Sequence, residues 1–245
     1  MERTRVGTVA AIYRYPVKSM AGERLASADL GWHGVAGDRR FALRRLEERG
    51  GFPWLTASRL PELIRYVPVR AATEPESDLP THVRTPGGDE LPLRGPDLTA
   101  DITRRVGAPV EMMYLDRGIF DEASVSVIAS ATVDAIAALS AQPADVRRFR
   151  PNILVDLDRV APFAEDEWVG GTLTFGDAPD GAIVAVTNVD ERCVMVNLDP
   201  ESARSTPEVL KAIVRERDNR AGIYGSVFRR GRIAVAQPVF FERRS

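Results

Sequence analysis

Cysteine, histidine and lysine are all scarce. The 245 residues hold one cysteine, Cys193, two histidines, His33 and His82, and two lysines, Lys18 and Lys211. One cysteine excludes an intrachain disulfide and cannot supply the four ligands of a plant-type [2Fe–2S] cluster. The two histidines lie far apart, so a zinc site or a Ser-His-Asp triad has little to draw on, and both read as structural or surface residues. There is no phosphate-cradling GxxxxGK[ST] loop, no GxGxxG after a strand, no HExxH and no GxSxG. No run approaches the roughly 20 apolar residues of a membrane span. The opening residues, Met1 to Arg5, lack the apolar core of a signal peptide. The expectation is a cytoplasmic protein with no membrane partner.

What is present is an ordinary globular composition, 44% hydrophobic and 28% charged, long enough for one large domain or two small ones. Basic and acidic residues nearly balance, 33 against 35, with a sequence pI near 5.9. That balance excludes a general nucleic-acid binder, which must neutralise many phosphates, but leaves room for a local basic pocket. The chain uses arginine almost everywhere it needs positive charge. Lys211 has an ordinary place on a helix face, so Lys18 stands out as a site where a compact ammonium is wanted.

The pattern of elements is mainly β with a few helices, an α+β class. Short strands are expected over Val6 to Tyr15, Gly37 to Arg44 and Tyr66 to Arg70, with turns at Glu48 to Gly51 and at Pro86-Gly87-Gly88. Residues 73–80 read as a polar surface loop, and 94–99 as a connection near a domain boundary. Two helices are expected. Ser130 is placed to cap one over Ala131 to Leu139, and Ser205-Thr206-Pro207-Glu208 opens the other. Further strands are expected over Asn152 to Leu157, Thr172 to Phe175, Ile183 to Val189, Ile223 to Phe228 and Ile233 to Ala236. Strands and helices do not alternate regularly, which points to a barrel rather than a doubly wound sheet.

Four segments carry chemistry. Tyr15-Pro16-Val17-Lys18-Ser19 ends a strand and offers an ammonium and a hydroxyl to an anion. Gly37-Asp38-Arg39 sets an arginine at a strand start. In Arg148-Phe149-Arg150-Pro151-Asn152, alternation predicts that Arg150 and Asn152 point the same way. Glu191-Arg192-Cys193 closes a β-rich run. Taken singly, each has an ordinary reading: a solvated charge, a surface ion pair, or a small buried thiol.

Together, and with PFAEDEWVGGTLTFG and ERCVMVNLDPES in order behind RFRPNILVD, these segments resemble the MOSC family. That family includes the C-terminal part of molybdenum-cofactor sulfurases and the amidoxime-reducing molybdenum enzymes. The likeness spans essentially the whole chain. It implies a smaller β-barrel domain over 1–95 followed by a MOSC β-barrel domain over 96–245. It implies molybdenum cofactor, with Cys193 as the protein ligand of the metal. Lys18, Ser19, Arg39, Arg150 and Asn152 would hold phosphate and pterin, Arg192 would lie near the pterin or metal, and Ser130 is a looser transfer.

Two functions follow from the resemblance. One is an oxidoreductase that reduces N-hydroxylated small molecules, fed by a separate ferredoxin- or flavin-type partner. The other is a sulfur carrier or cofactor-handling protein acting through Cys193. A cofactor-free binding module is the third possibility that the residues leave open.

Overall fold

A computed structural model describes residues 3–71 and 79–243, so the loop read at 73–80 lies mostly outside them. Among the described residues seven strands close into a barrel: β1 Thr4–Arg14, β2 Val125–Ala129, β3 Ile153–Leu157, β4 Gly171–Phe175, β5 Ile183–Glu191, β6 Arg220–Arg229 and β7 Pro238–Arg243. The order is β3-β2-β6-β5-β4-β7-β1, and β1 closes the ring on β3. Every pair is antiparallel except β2–β3. That pair is parallel because a helix carries the chain across between them. At the seam a Cβ on Gly7 would sit 2.2 Å from the Asp156 carbonyl oxygen, so only glycine lets β1 approach β3 this closely. The expected mainly-β, α+β class with a barrel is the architecture found.

The inward faces of the strands make the first core, with Val9, Ile12, Val127, Val155, Leu173 and Val239 fully buried. Each such side chain contributes about 1.5–3 kcal/mol on burial. A second core gathers Val17, Phe41, Leu43, Leu63, Tyr66 and Leu98 from the N-terminal part, joined by Leu198 and Ala203 from far downstream. The chain therefore crosses between the two cores more than once: β1 belongs to the barrel, and residues 198 and 203 to the smaller body.

Three α-helices are present among the described residues: α1 Pro96–Val106, α2 Ser130–Ser140 and α3 Glu208–Arg217. The first corrects the reading of 94–99 as a connection. Pro96 opens the helix, Asp97 sits in its first turn, Leu98 and Ile102 are buried one turn apart, and Gly107 ends it in the left-handed region. Proline at the first turn starts helices as readily as it ends them.

The caps also differ from expectation. Ser130 is the first helical residue of α2, and its side chain makes no capping bond. A fully buried carboxylate, Glu165, takes that place, accepting bonds from the Ala129 N–H at 3.1 Å and the Thr132 hydroxyl at 2.9 Å. Burial pushes the Glu165 carboxyl up, and those donors offset part of the effect. In α3 the hydroxyls of Ser205 and Thr206 do not cap. Asn197 Oδ1 accepts from the Leu210 N–H at 2.9 Å instead. Glu165→Ala is expected to cost about 2–5 kcal/mol, because two buried donors lose their acceptor. Denaturant unfolding measures this, and a loss under about 1 kcal/mol would mean that the donors find other acceptors.

Candidate functional site

Three loops and one strand end converge beside the barrel. After β1, Pro16 turns the chain, and the Lys18 N–H donates to the Phe41 carbonyl at 2.8 Å. That bond fixes Lys18 and Ser19 beside the Gly37–Arg39 turn. Ser19, Arg39 and Arg150 all take left-handed backbone, with φ of 66°, 50° and 52°. Such conformations cost about 1–2 kcal/mol for a residue with a Cβ, and three of them meet at one place.

The place is a cavity of about 550 Å³. Its walls include Lys18, Ser19, Arg39, Arg150, Arg192 and Cys193, so residues far apart in sequence are brought together. Cys193 is exposed just after β5. Lys18 and Ser19 are buried. Among the described residues no cluster of His, Cys, Asp and Glu could hold a metal by itself.

Two expected residues are elsewhere. Asn152 is fully buried behind the cavity, and its amide and backbone stitch the barrel. Its Oδ1 accepts from the Ser126 N–H at 3.1 Å, and its Nδ2 donates to the Tyr13 carbonyl at 3.3 Å. Arg150 and Asn152 do not share a direction, because the left-handed turn at Arg150 precedes β3 and breaks the alternation assumed for a strand. Ser130 lies on α2 and does not line the cavity.

The arginines divide into two kinds. Arg39 and Arg192 are saturated by the protein. Arg39 pairs with buried Asp38 and donates to the Arg150 carbonyl at 3.2 Å. Burial opposes its charge, but Asp38 outweighs burial and raises its pKa. Arg192 pairs with buried Asp190 and donates to the Phe149 carbonyl. These two side chains thus hold successive carbonyls that the turn at Arg150 has removed from the sheet. Asp190 is pushed up to about 6 by burial, against the pull of Arg192.

Arg150 is of the other kind. Its guanidinium donates to the Met20 carbonyl at 2.7 Å and stacks 4.2 Å from the Tyr15 ring centroid. No carboxylate pairs with it among the described residues. Burial brings its pKa down to about 10, so it stays charged at neutral pH. Lys18 is lowered by burial and partly restored by Asp121, whose Oδ1 lies 2.7 Å from Nζ.

The sequence offers Tyr15 no role and offers Asp38 only as the partner of a surface ion pair with a nearby arginine. The structure gives each a place: Tyr15 is an aromatic wall shared by Arg39 and Arg150, and Asp38 is the anchor of Arg39. Asp121, Asp190 and the exposed Phe52 at the cavity edge carried no signal in the sequence.

Solved structures with the same fold include the YUAD protein from Bacillus subtilis, 14% identical, with 100% of this chain and 99% of that one covered at a TM-score of 0.55. YiiM from Geobacillus stearothermophilus is 18% identical over 49% of this chain and 55% of that one, with a TM-score of 0.37. No curated protein matches the sequence. The MOSC N-terminal beta barrel domain matches residues 6–118, and the MOSC domain matches residues 104–240. With more than half of its length matched by the MOSC domain, and the barrel and motif loops in place around one cavity, the chain belongs to the MOSC family of molybdenum-cofactor-associated proteins.

Proposed function

We propose that this protein is a molybdenum-cofactor-dependent oxidoreductase that reduces N-hydroxylated small molecules with electrons from a separate protein. The observation that carries the reading is Arg150. A half-buried guanidinium with no carboxylate partner is open to an anion that would complete it, and it shares its cavity with Lys18 and with the only thiol of the chain. The residues fit the cofactor. The volume falls within the roughly 300–1,000 Å³ usual for small-molecule sites. The cations suit a phosphate, and the thiolate suits a soft metal.

In this reading Lys18, Ser19 and Arg150 would hold the anionic end of the cofactor, and the exposed Cys193 would ligate the metal. Arg39 and Arg192 act one step back, holding the backbone that aims Arg150. Bound there, the cofactor supplies a two-electron couple able to take oxygen from an N–OH group. The net reaction consumes two electrons and two protons, breaks the N–O bond and releases water. Asp190, on the cavity wall, keeps Arg192 in position. With one cysteine the chain has no ligands for its own [2Fe–2S] cluster, so a ferredoxin- or flavin-type partner delivers the electrons. The parts over 1–95 and 96–245 would each contribute to the cradle, the first with Lys18 and Ser19, the second with Arg150 and Cys193.

Cofactor-loaded protein given reduced viologen is expected to turn over hydroxylamines or amidoximes. The exposure of Cys193 also suits a sulfur carrier, which needs only a reachable thiol. Absence of turnover across several N-hydroxylated compounds, with persulfide found on Cys193 by mass spectrometry, would decide for the carrier.

A further inference from the structure

The cavity contains one ion pair built unlike the others. Lys18 is almost completely enclosed, with its side chain 6% exposed, while its partner Asp121 is 61% exposed. The two partners therefore stand in different situations. Removed from its partner, the lysine strands a desolvated ammonium, whereas the aspartate returns to water. Asp121 also sits on a segment that is lightly held. Among the described residues, no backbone hydrogen bond outside the strand ladders involves 120–124, and the one side-chain bond of Asp121 is to Lys18. The chain enters this segment through Gly118, at φ 77°, after Ile119 N–H has bonded to the Arg39 carbonyl at 3.0 Å.

The charges make the asymmetry meaningful. Lys18, Arg39, Arg150 and Asp121 act on one another, and Asp38 acts on both arginines. As the structure stands, three cations face two carboxylates, a net charge of +1. Asp38 cannot leave, because it is fully buried and bonded to the Tyr15 N–H at 2.7 Å as well as to Arg39. Asp121 can. With Asp121 turned to solvent the cluster carries +2, which balances a phosphate monoester at about −1.5 to −2 near neutral pH. With Asp121 in place, a phosphate would overfill the cluster with negative charge and compete for the same Nζ.

We propose that Asp121 is a placeholder counter-ion: it keeps the Lys18 ammonium paired in the ligand-free protein and is displaced when a phosphate-bearing ligand enters. The proposal rests on the reading of the cavity as an anion site, and the experiment separates the two. Wild-type protein and Asp121→Asn, both made in a host that does not synthesise the cofactor, are titrated with inorganic phosphate by calorimetry at fixed ionic strength. Removing a competing unit charge within contact distance of the site should tighten phosphate binding by at least about tenfold. Without phosphate the variant should melt below wild type, because Lys18 has lost its partner. Phosphate should then raise its melting temperature by more than it raises that of wild type. In cofactor-loaded protein the same variant should retain more pterin through dialysis. Equal or weaker phosphate binding by Asp121→Asn, or poorer pterin retention, overturns the placeholder while leaving the anion site standing. Phosphate binding by neither protein removes the anion site and the placeholder with it.

Discussion

Cofactor-loaded Cys193→Ser protein is expected to lose turnover of N-hydroxylated substrates by more than about 100-fold while keeping most of its pterin. Loss of groups that merely support a metal ligand typically costs about 10–100-fold, and loss of the ligand itself should exceed that. Serine offers a harder, less polarisable oxygen in place of a soft thiolate, so a metal seated beside it is poorly tuned for oxygen removal. Pterin should remain because buried Lys18 and Ser19 and half-buried Arg150 are untouched by a change at the exposed thiol. Turnover with reduced viologen and fluorescence of the released, oxidised pterin measure the two effects separately. Activity surviving in the serine variant would remove Cys193 from the metal.

The second large effect separates arginines that look alike in sequence. Arg150→Ala is expected to weaken cofactor retention about 10- to 150-fold, the equivalent of a charge-assisted bond worth about 1.5–3 kcal/mol. It should leave the fold close to wild-type stability, because the half-buried cation it deletes strands no carboxylate and gives up one carbonyl bond and one ring contact. Arg39→Ala should do the reverse. It strands Asp38, which is fully buried, and breaking a buried pair costs about 3–5 kcal/mol. Whatever pterin this variant loses follows from the released Arg150 carbonyl rather than from a lost ligand contact. Thermal unfolding and pterin content, measured on both variants, give the pattern. A fold weakened by Arg150→Ala and indifferent to Arg39→Ala would contradict these assignments.

The loops of the site were legible in the sequence because proline and glycine mark them. Pro16 stops β1 ahead of Lys18, Gly37 sets up Arg39, Pro151 follows Arg150, and Cys193 comes just after β5. Directions were less legible. Alternation put Arg150 and Asn152 on one side, but the left-handed turn at Arg150 sends Asn152 into the barrel wall, where its amide replaces missing ladder bonds. Ser130 looked like a cap because capping is usually local. Here the acceptor is Glu165, supplied by a separate turn of the chain that no local pattern announces. The stretch 94–99, which reads as a connection, is a helix start: Gly95 and Pro96 open α1. Strands β2 and β7, not expected from the pattern, follow from closure, since a barrel needs every stave. Asp121, on an irregular loop, is identified only by the lysine it meets.

The central claim is that the cavity holds molybdenum cofactor, with Cys193 on the metal. Metal and pterin analysis of protein made in a host that synthesises the cofactor tests it most directly. The account predicts molybdenum and pterin each near one per chain, with pterin kept and turnover lost in Cys193→Ser. Protein free of both, from cells whose own molybdoenzymes are fully loaded, would contradict it.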